Sequence, residues 1–254
     1  MKPFLCLLIL LASPLAEAQT PPSGLVPFRR ATKWGYVDQR RRLVLPLQYD
    51  EAGPFVGGVA WVRQGTLLGY ITTNGNPVTP LQYTRAGNFH GGRATVELGG
   101  ETFDIDPGGQ RLTTAPEPAP ETDVLSLGHR THQDGKLGFR FTVGHGVVPA
   151  QYDDMQETAS GLLLVRQGLK WGVINGKGKL VQSITYDALQ VSLNSDFPIV
   201  EQQGRFGYLT ADGHLLVKPK YRAAEFFSEG VARVITESGQ VGYIDARGEE
   251  YFEE

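Results

Sequence analysis

The sequence predicts an all-β protein built as a tandem array of about seven three-stranded β-meander repeats, each 34–35 residues long. Short alternating strands separated by Asn-Gly or Asp-Gly turns support this prediction. No stretch keeps a 3.6-residue apolar period over three helical turns, so we expect almost no helix. A glycine that usually has an aromatic neighbour also recurs at nearly constant spacing, at Gly35, Gly69, Gly138, Gly172, Gly207 and Gly242.

The clearest repeat runs from Gly58 to Phe89. Residues 59–63 and 67–72 alternate apolar with small or polar side chains, which is typical of half-buried strands. Residues 77–83 form a predicted third strand, and Pro80 within it indicates a short, bulged or edge strand.

Aromatic residues accompany the glycines in most repeats. Trp34 and Trp171 directly precede Gly35 and Gly172. We expect each glycine to leave room for an aromatic ring of a neighbouring repeat, because one repeat is too small to bury its rings alone. A row of exposed aromatics that bind sugars or peptides is the alternative. The third predicted strand also ends on a recurrent tyrosine, found at Tyr49, Tyr83, Tyr152, Tyr186 and Tyr221.

These motifs resemble the WG-repeat family. Residues 33–38 read KWGYVD and residues 170–175 read KWGVIN, close to the opening of the family consensus. The segments PLQYD at 46–50 and PAQYD at 149–153 match its middle. The resemblance implies an all-β repeat protein, often exported or surface-associated. It implies no shared activity and no catalytic residues.

Two features of the array leave its organisation open. Phe103 replaces the recurrent glycine, and a Pro/Ala/Glu-rich stretch follows at 113–121. We interpret this stretch as a linker between repeat blocks at 19–112 and 122–254, or as a decorated loop within one continuous array. The first unit contains its own first strand, and no exchange of terminal strands is evident. An open solenoid is therefore slightly favoured over propeller-like closure.

The first 18 residues have the pattern of a cleaved signal peptide. Lys2 precedes an apolar run at 4–12, and Ala16-Glu17-Ala18 is a small-x-small cleavage site before Gln19. A short membrane anchor is the alternative. We expect export to the periplasm or the extracellular space. Cleavage would remove Cys6, the one cysteine in the sequence, and with it any disulfide or cysteine metal site.

Charge and composition exclude several classes of partner. The formal net charge is −3 and no polybasic run occurs, which argues against nucleic acid and anionic lipid as partners. No segment after the first 18 residues is long and apolar enough to span a membrane. Neither a nucleophile elbow nor a phosphate-binding loop is present, so we predict no catalytic residues and no cofactor.

The fourth repeat holds the only candidates for metal chemistry. His129, His132 and Asp134 follow the Pro-rich stretch, and His145 lies nearby. Residues three apart on a strand point to opposite faces, so solvated loop histidines are favoured over a metal site.

These observations favour an exported, non-catalytic interaction or binding module of the cell envelope. A protein or an envelope glycan is the expected partner, and Arg63, Glu97, Arg166 and Arg233 are expected to line a shared face. One alternative is a hydrolase or metal-dependent enzyme with its site in the irregular fourth repeat. A purely structural spacer is another.

Overall fold

The computed structural model describes residues 24–113, 127–143, 146–192 and 195–252, and these fold into seven small antiparallel sheets. Strands and turns make up the regular structure of this part, which contains no helix, so the all-β prediction is confirmed. None of the described residues therefore forms a helix long and apolar enough to cross a membrane. The predicted signal peptide and most of the Pro-rich stretch lie outside the described residues.

Each sheet contains strands that follow one another in the chain. The first four sheets have three strands each, namely β1 (Val26–Arg30), β2 (Lys33–Val37) and β3 (Leu43–Tyr49); β4 (Glu51–Ala52), β5 (Val59–Gln64) and β6 (Leu67–Thr72); β7 (Arg85–Ala86), β8 (Ala94–Leu98) and β9 (Glu101–Ile105); and β10 (Gly128–Gln133), β11 (Lys136–Phe141) and β12 (Val147–Tyr152). The last three sheets have four strands each, namely β13 (Asp154–Glu157), β14 (Leu163–Gln167), β15 (Lys170–Ile174) and β16 (Leu180–Tyr186); β17 (Ala188–Ser192), β18 (Ser195–Gln202), β19 (Arg205–Leu209) and β20 (Leu215–Tyr221); and β21 (Ala223–Ala224), β22 (Val231–Ile235), β23 (Val241–Asp245) and β24 (Glu250–Tyr251).

Most sheets begin with a short leading strand that the sequence did not reveal. In the second sheet, Glu51 and Ala52 of β4 pair with Arg63 and Val62 of β5. The corresponding strands β7, β13, β17 and β21 pair in the same way with the first long strand of their own sheets. The segment expected only to carry the chain to the next repeat therefore belongs to that repeat's sheet. The first sheet has no such strand among the described residues.

The third long strand lies at the edge of its sheet and often contains a proline. Pro46, Pro149 and Pro219 lie within β3, β12 and β20. In the second repeat, residues 77–83 form only isolated bridges, Ile71 to Pro77 and Leu68 to Tyr83. The third strand predicted there is thus not a regular strand, in agreement with the expected effect of an internal proline.

The recurrent glycines admit the backbone of the third strand of their own repeat. A Cβ atom at Gly35 would lie 2.5 Å from the carbonyl oxygen of Leu45 and 2.6 Å from that of Pro46. The pairing of β2 with β3 shifts register at this point, as expected for a β-bulge. The expected occupant, an aromatic ring of a neighbouring repeat, is not what lies there. At Gly242 a ring does lie closest, but it is that of Phe252 in the same repeat.

Buried tyrosines one residue after the glycine join consecutive sheets. The hydroxyl of Tyr36 donates a hydrogen bond to the carbonyl of Gly53 (2.9 Å), and that of Tyr70 donates to Gly87 (2.8 Å). Tyr208 donates in the same way to Glu225 (2.7 Å). The tyrosines predicted at the ends of the third strands are also buried, at Tyr49, Tyr83, Tyr152, Tyr186 and Tyr221.

The first and seventh sheets contact each other. The rings of Trp34 and Tyr243 meet edge to face with centroids 6.0 Å apart. Val231 and Tyr251 share a buried cluster with the first sheet, and a guanidinium nitrogen of Arg41 donates to the carbonyl of Glu250 (2.6 Å). No strand is exchanged, as expected, since β1 and β24 stay in their own sheets. The slightly favoured open solenoid would keep its end repeats apart, whereas side-chain packing here brings them together.

The buried clusters show the order in which the sheets pack. They join the fourth sheet to the fifth, the fifth to the sixth and the sixth to the seventh. Another cluster joins the seventh sheet to the first and second, and the last joins the second to the third. Within the described ranges, none of these five clusters spans the third and fourth sheets. Because residues 114–126 are not described, the division into blocks at 19–112 and 122–254 stays a prediction.

A carboxylate links consecutive repeats at three places. One oxygen of Asp50 accepts from Lys33 Nζ (2.8 Å), and the other accepts from the backbone N–H of Gly65 in the next repeat (2.7 Å). The hydrogen bond from the lysine, followed by that from the backbone, holds the pKa of Asp50 below its usual value. The same arrangement joins Asp153 to Lys136 and Gly168, and Asp187 to Lys170 and Gln203. The pKa values of both carboxyls are lowered for the same reasons.

Replacing Asp50, Asp153 and Asp187 together by Asn is expected to flatten the acid limb of the stability profile. Folding lowers the pKa of these carboxyls, so their contribution is present above the unfolded pKa, about 4. It is lost as the pH falls through the lower folded pKa. Urea unfolding from neutral to strongly acidic pH measures this dependence, with Asp196→Asn as an exposed control. An equally steep loss of stability in the triple variant would contradict the assignment.

Candidate binding cleft at the junction of the termini

A cleft of about 440 Å³ opens where the seventh, first and second sheets meet. It combines charged side chains with aromatic rings. Its lining comprises Arg29, Trp34, Asp50, Glu51, Ala52, Pro54, Trp61, Arg63, Asn88, Glu225, Arg233, Val241 and Tyr243. The cleft depends on the contact between the first and last repeats, because both contribute residues to its lining.

Each carboxylate in the cleft is paired with a cation. Arg63 contacts Glu51 at 3.0 Å, and Arg233 contacts Glu225 at 2.9 Å. Asp50 is held by Lys33, as described above. These carboxylates are thus internally neutralised.

Arg29 differs from the other two arginines of the cleft. Its Nε donates to the carbonyl of Ala31 (2.9 Å), and it forms no ion pair within the described ranges. Arg63 and Arg166 occupy the same repeat position, and each contacts an acid on the leading strand paired with its own strand. In the described part of the first sheet, no leading strand supplies such an acid to Arg29.

Trp61 is held rigidly at one wall of the cleft. Its indole Nε1 donates to the side-chain oxygen of Asn88 (2.8 Å). A Cβ atom at Gly53 would collide with the indole, so the ring lies directly on the backbone at this glycine. Because both contacts fix the indole, the partly exposed ring is preorganised for a ligand.

Tyr243 connects the seventh sheet to the second sheet within the cleft lining. Its hydroxyl donates to the carbonyl of Ala52 (3.1 Å), which belongs to the second sheet. Burial raises the pKa of Tyr243 well above its ordinary value, so the hydroxyl stays protonated as a donor at neutral pH.

The four charged residues expected to share one face are divided by the structure. Arg63 and Arg233 line the cleft, whereas Glu97 and Arg166 lie on the third and fifth sheets. Arg233 pairs with Tyr243 as Trp61 pairs with Tyr70, so Arg233 corresponds to Trp61 and not to Arg63. The error arose because equivalent positions were assigned without the strand register.

The candidate metal residues of the fourth repeat do not form a recognisable metal site. His129 and His132 lie on β10 with exposed side chains, and Asp134 has a positive φ of 51° in the following turn. Across the four described ranges, no group of three or more His, Cys, Asp or Glu side chains is placed to hold a metal ion. His145 lies outside the described residues.

Sequence reasoning missed Arg29 and Trp61 as cleft residues. Trp61 occupies a repeat position where the chemistry varies, since Thr95, Leu164 and Ile199 stand there in other repeats. In the sequence, the one signal for Trp61 as a binding residue was an aromatic side chain at a position that varies among the repeats. Nothing in the local sequence marks Arg29, because its lack of an ion pair depends on the strand pairing.

Trp34 and Tyr243 are expected to be energetically coupled. Their rings meet across the junction of the termini, so the double variant Trp34→Leu/Tyr243→Leu should show an interaction energy of about 0.5–1.5 kcal/mol. Chemical unfolding of both single variants and the double variant measures it. The pair Trp171 and Tyr243 is the control and should be additive. Additivity of the Trp34 pair as well would show that the first and last repeats do not pack together in solution.

The WG containing repeat family matches residues 34–65, 69–101, 144–171 and 206–237. No curated protein sequence matches the chain. Several solved structures are similar to the chain at low identity and low TM-score. A eukaryotic initiation factor shares 12% identity over 89% of this chain and 72% of its own, with a TM-score of 0.31. For Kluyveromyces lactis Hsv2p the identity is 9%, over 77% of this chain and 74% of that chain, with a TM-score of 0.30.

The surface component PorZ of the type-IX secretion system of Porphyromonas gingivalis shares 10% identity over 78% of this chain and 33% of its own, with a TM-score of 0.28. Likeness at this level supports no inference about function. The family matches carry more weight, because three of the four matched segments begin at the recurrent glycine or at the residue before it, at Trp34, Gly69 and Phe206. On this evidence the chain belongs to the WG-repeat family of β-repeat proteins.

Proposed function

We propose that the protein is an exported, non-catalytic binding module of the cell envelope and that the cleft at the junction of its termini is the ligand site. The observation that carries this proposal is the combination of a fixed indole, Trp61, with the guanidinium of Arg29 in one cleft of about 440 Å³. That volume lies within the range of small-ligand sites, about 300–1,000 Å³.

The arrangement of charge favours binding over catalysis. Glu51 and Glu225 are engaged by arginines, and the pKa of Asp50 is lowered chiefly by Lys33. A general acid at neutral pH needs a raised pKa, and a general base needs a carboxylate free to take a proton. Carboxylates paired with cations instead present a fixed pattern of acceptors to a ligand.

Export is supported by the first 18 residues of the sequence. Their charged start, short apolar run and Ala16-Glu17-Ala18 site are typical of a secretory signal. In the periplasm or outside the cell, the accessible partners are envelope glycans and proteins. Repeat proteins of this kind present extended surfaces whose side chains vary without disturbing the core.

Export is expected to require residues 1–18. The full chain produced in a bacterial host should appear in the periplasm or medium, and N-terminal sequencing should find Gln19 as the first residue. A chain that starts at Gln19 behind an initiator methionine should remain in the cytoplasm. Recovery of uncleaved full chain in the membrane fraction would instead favour the alternative of a short membrane anchor.

Binding to envelope material is expected to depend on Trp61. The exported chain should be retained by purified peptidoglycan or envelope polysaccharide, and Trp61→Leu should reduce retention about tenfold or more, as for loss of an aromatic hot spot. Trp171→Leu is the matched control, because Trp171 lies on the fifth sheet, away from the cleft. Retention unaffected by Trp61→Leu would remove the cleft from the proposal. Loss of retention in His129→Ala/His132→Ala would favour the fourth repeat instead.

A further inference from the structure

We infer that the cleft recognises a carboxylated saccharide, with the guanidinium of Arg29 binding the sugar carboxylate. This inference rests on the proposed function and specifies its ligand. It follows from the charge balance of the cleft, from the repeat position of Arg29 and from the chemistry of the remaining lining.

The charge balance leaves one cation available. The three carboxylates of the lining, from Asp50, Glu51 and Glu225, each contact a lysine or arginine. Arg29 is the cation of the lining without an ion pair to any described residue. Because an arginine fork binds a carboxylate through two parallel hydrogen bonds, an anionic group on the ligand would complete the cleft.

The repeat architecture explains why Arg29 is available. At the same position in the second and fifth repeats, Arg63 meets Glu51 and Arg166 meets Asp154, both on leading strands. The described part of the first sheet has no leading strand, so β1 is its edge. A ligand carboxylate would occupy the place that the repeat's own acid fills elsewhere.

The orientation of Arg29 is set by its strand. Arg29 pairs with Trp34 across β1 and β2, so its side chain lies on the same sheet face as the indole of Trp34. Arg30 lies on the opposite face, where its guanidinium is 6.0 Å from the ring centroid of Phe28. The two neighbouring arginines therefore differ in access to the cleft while carrying the same charge.

The rest of the lining favours a saccharide over a peptide. Ala52, Pro54 and Val241 are its aliphatic members, so it offers no deep apolar pocket for a peptide side chain. Its arginines and carboxylates supply donors and acceptors that match several hydroxyl groups. The immobilised indole of Trp61 offers a flat apolar surface for the C–H face of a sugar ring.

Calorimetric titration with tetragalacturonate and with its methyl ester tests the inference, because the two ligands differ in the free carboxylates. We expect the acid to bind at least about tenfold more tightly than the ester, as for a hydrogen bond to a charged group. Arg29→Gln should remove this preference, whereas Arg30→Gln should retain it. Thermal unfolding of both variants checks that they fold.

The possible outcomes separate the two proposals. Equal binding of acid and ester, lost in Trp61→Leu, would overturn the role of the carboxylate and leave the binding cleft intact. Binding of a peptide with a free C-terminal carboxylate, but of neither saccharide, would overturn the saccharide assignment. Absence of binding to the acid, or an acid preference that survives Arg29→Gln, would also overturn the inference. The dependence of envelope retention on Trp61 tests the proposed binding cleft independently of these outcomes.

Discussion

Each sheet of this protein is too small to bury its own aromatic residues, so consecutive sheets must pack together. At three interfaces, a buried tyrosine of one sheet donates a hydrogen bond to the next sheet. Tyr36, Tyr70 and Tyr208 extend their rings from the second long strand and bond to backbone carbonyls of the following repeat. A buried hydroxyl without a partner would be costly, so each bond sets the position of the next sheet while the ring fills the interface. The carboxylate link at Asp50 acts at the surface of the interface that Tyr36 bridges.

In the seventh sheet, the buried tyrosine also bonds to another sheet, but its neighbouring sheet is different. Tyr243 follows the last recurrent glycine, but the next sheet in space is the first, which has no leading strand within the described residues. Its hydroxyl bonds instead to Ala52, and its ring contacts Trp34. The cleft is the space left by this incomplete interface. Its unusual chemistry, a cation without an ion pair beside the fixed indole of Trp61, thus follows from joining an ordinary repeat to one that lacks its leading strand.

Local sequence patterns predicted those parts of the fold that depend on local physics. The period, the Asn-Gly and Asp-Gly turns and the buried third-strand tyrosines all follow from neighbours in the chain. Two-residue strands such as Glu51–Ala52 are too short to have a pattern of their own. The contact between Trp34 and Tyr243 joins residues about 200 positions apart, and no periodicity reveals it. The cleft was missed for the same reason, because the availability of Arg29 depends on which strand is absent beside it.

The prolines of the third strands affect how the molecule meets other copies of itself. An outer strand exposes a row of unpaired amides that can template intermolecular pairing. Pro46, Pro149 and Pro219 each remove one amide from that row and so interrupt the template. The fifth sheet has no proline in β16 (Leu180–Tyr186), and its outer edge is uninterrupted. Among the third strands of six or more residues in the described part, β16 is therefore the one whose edge stays open to pairing with another copy.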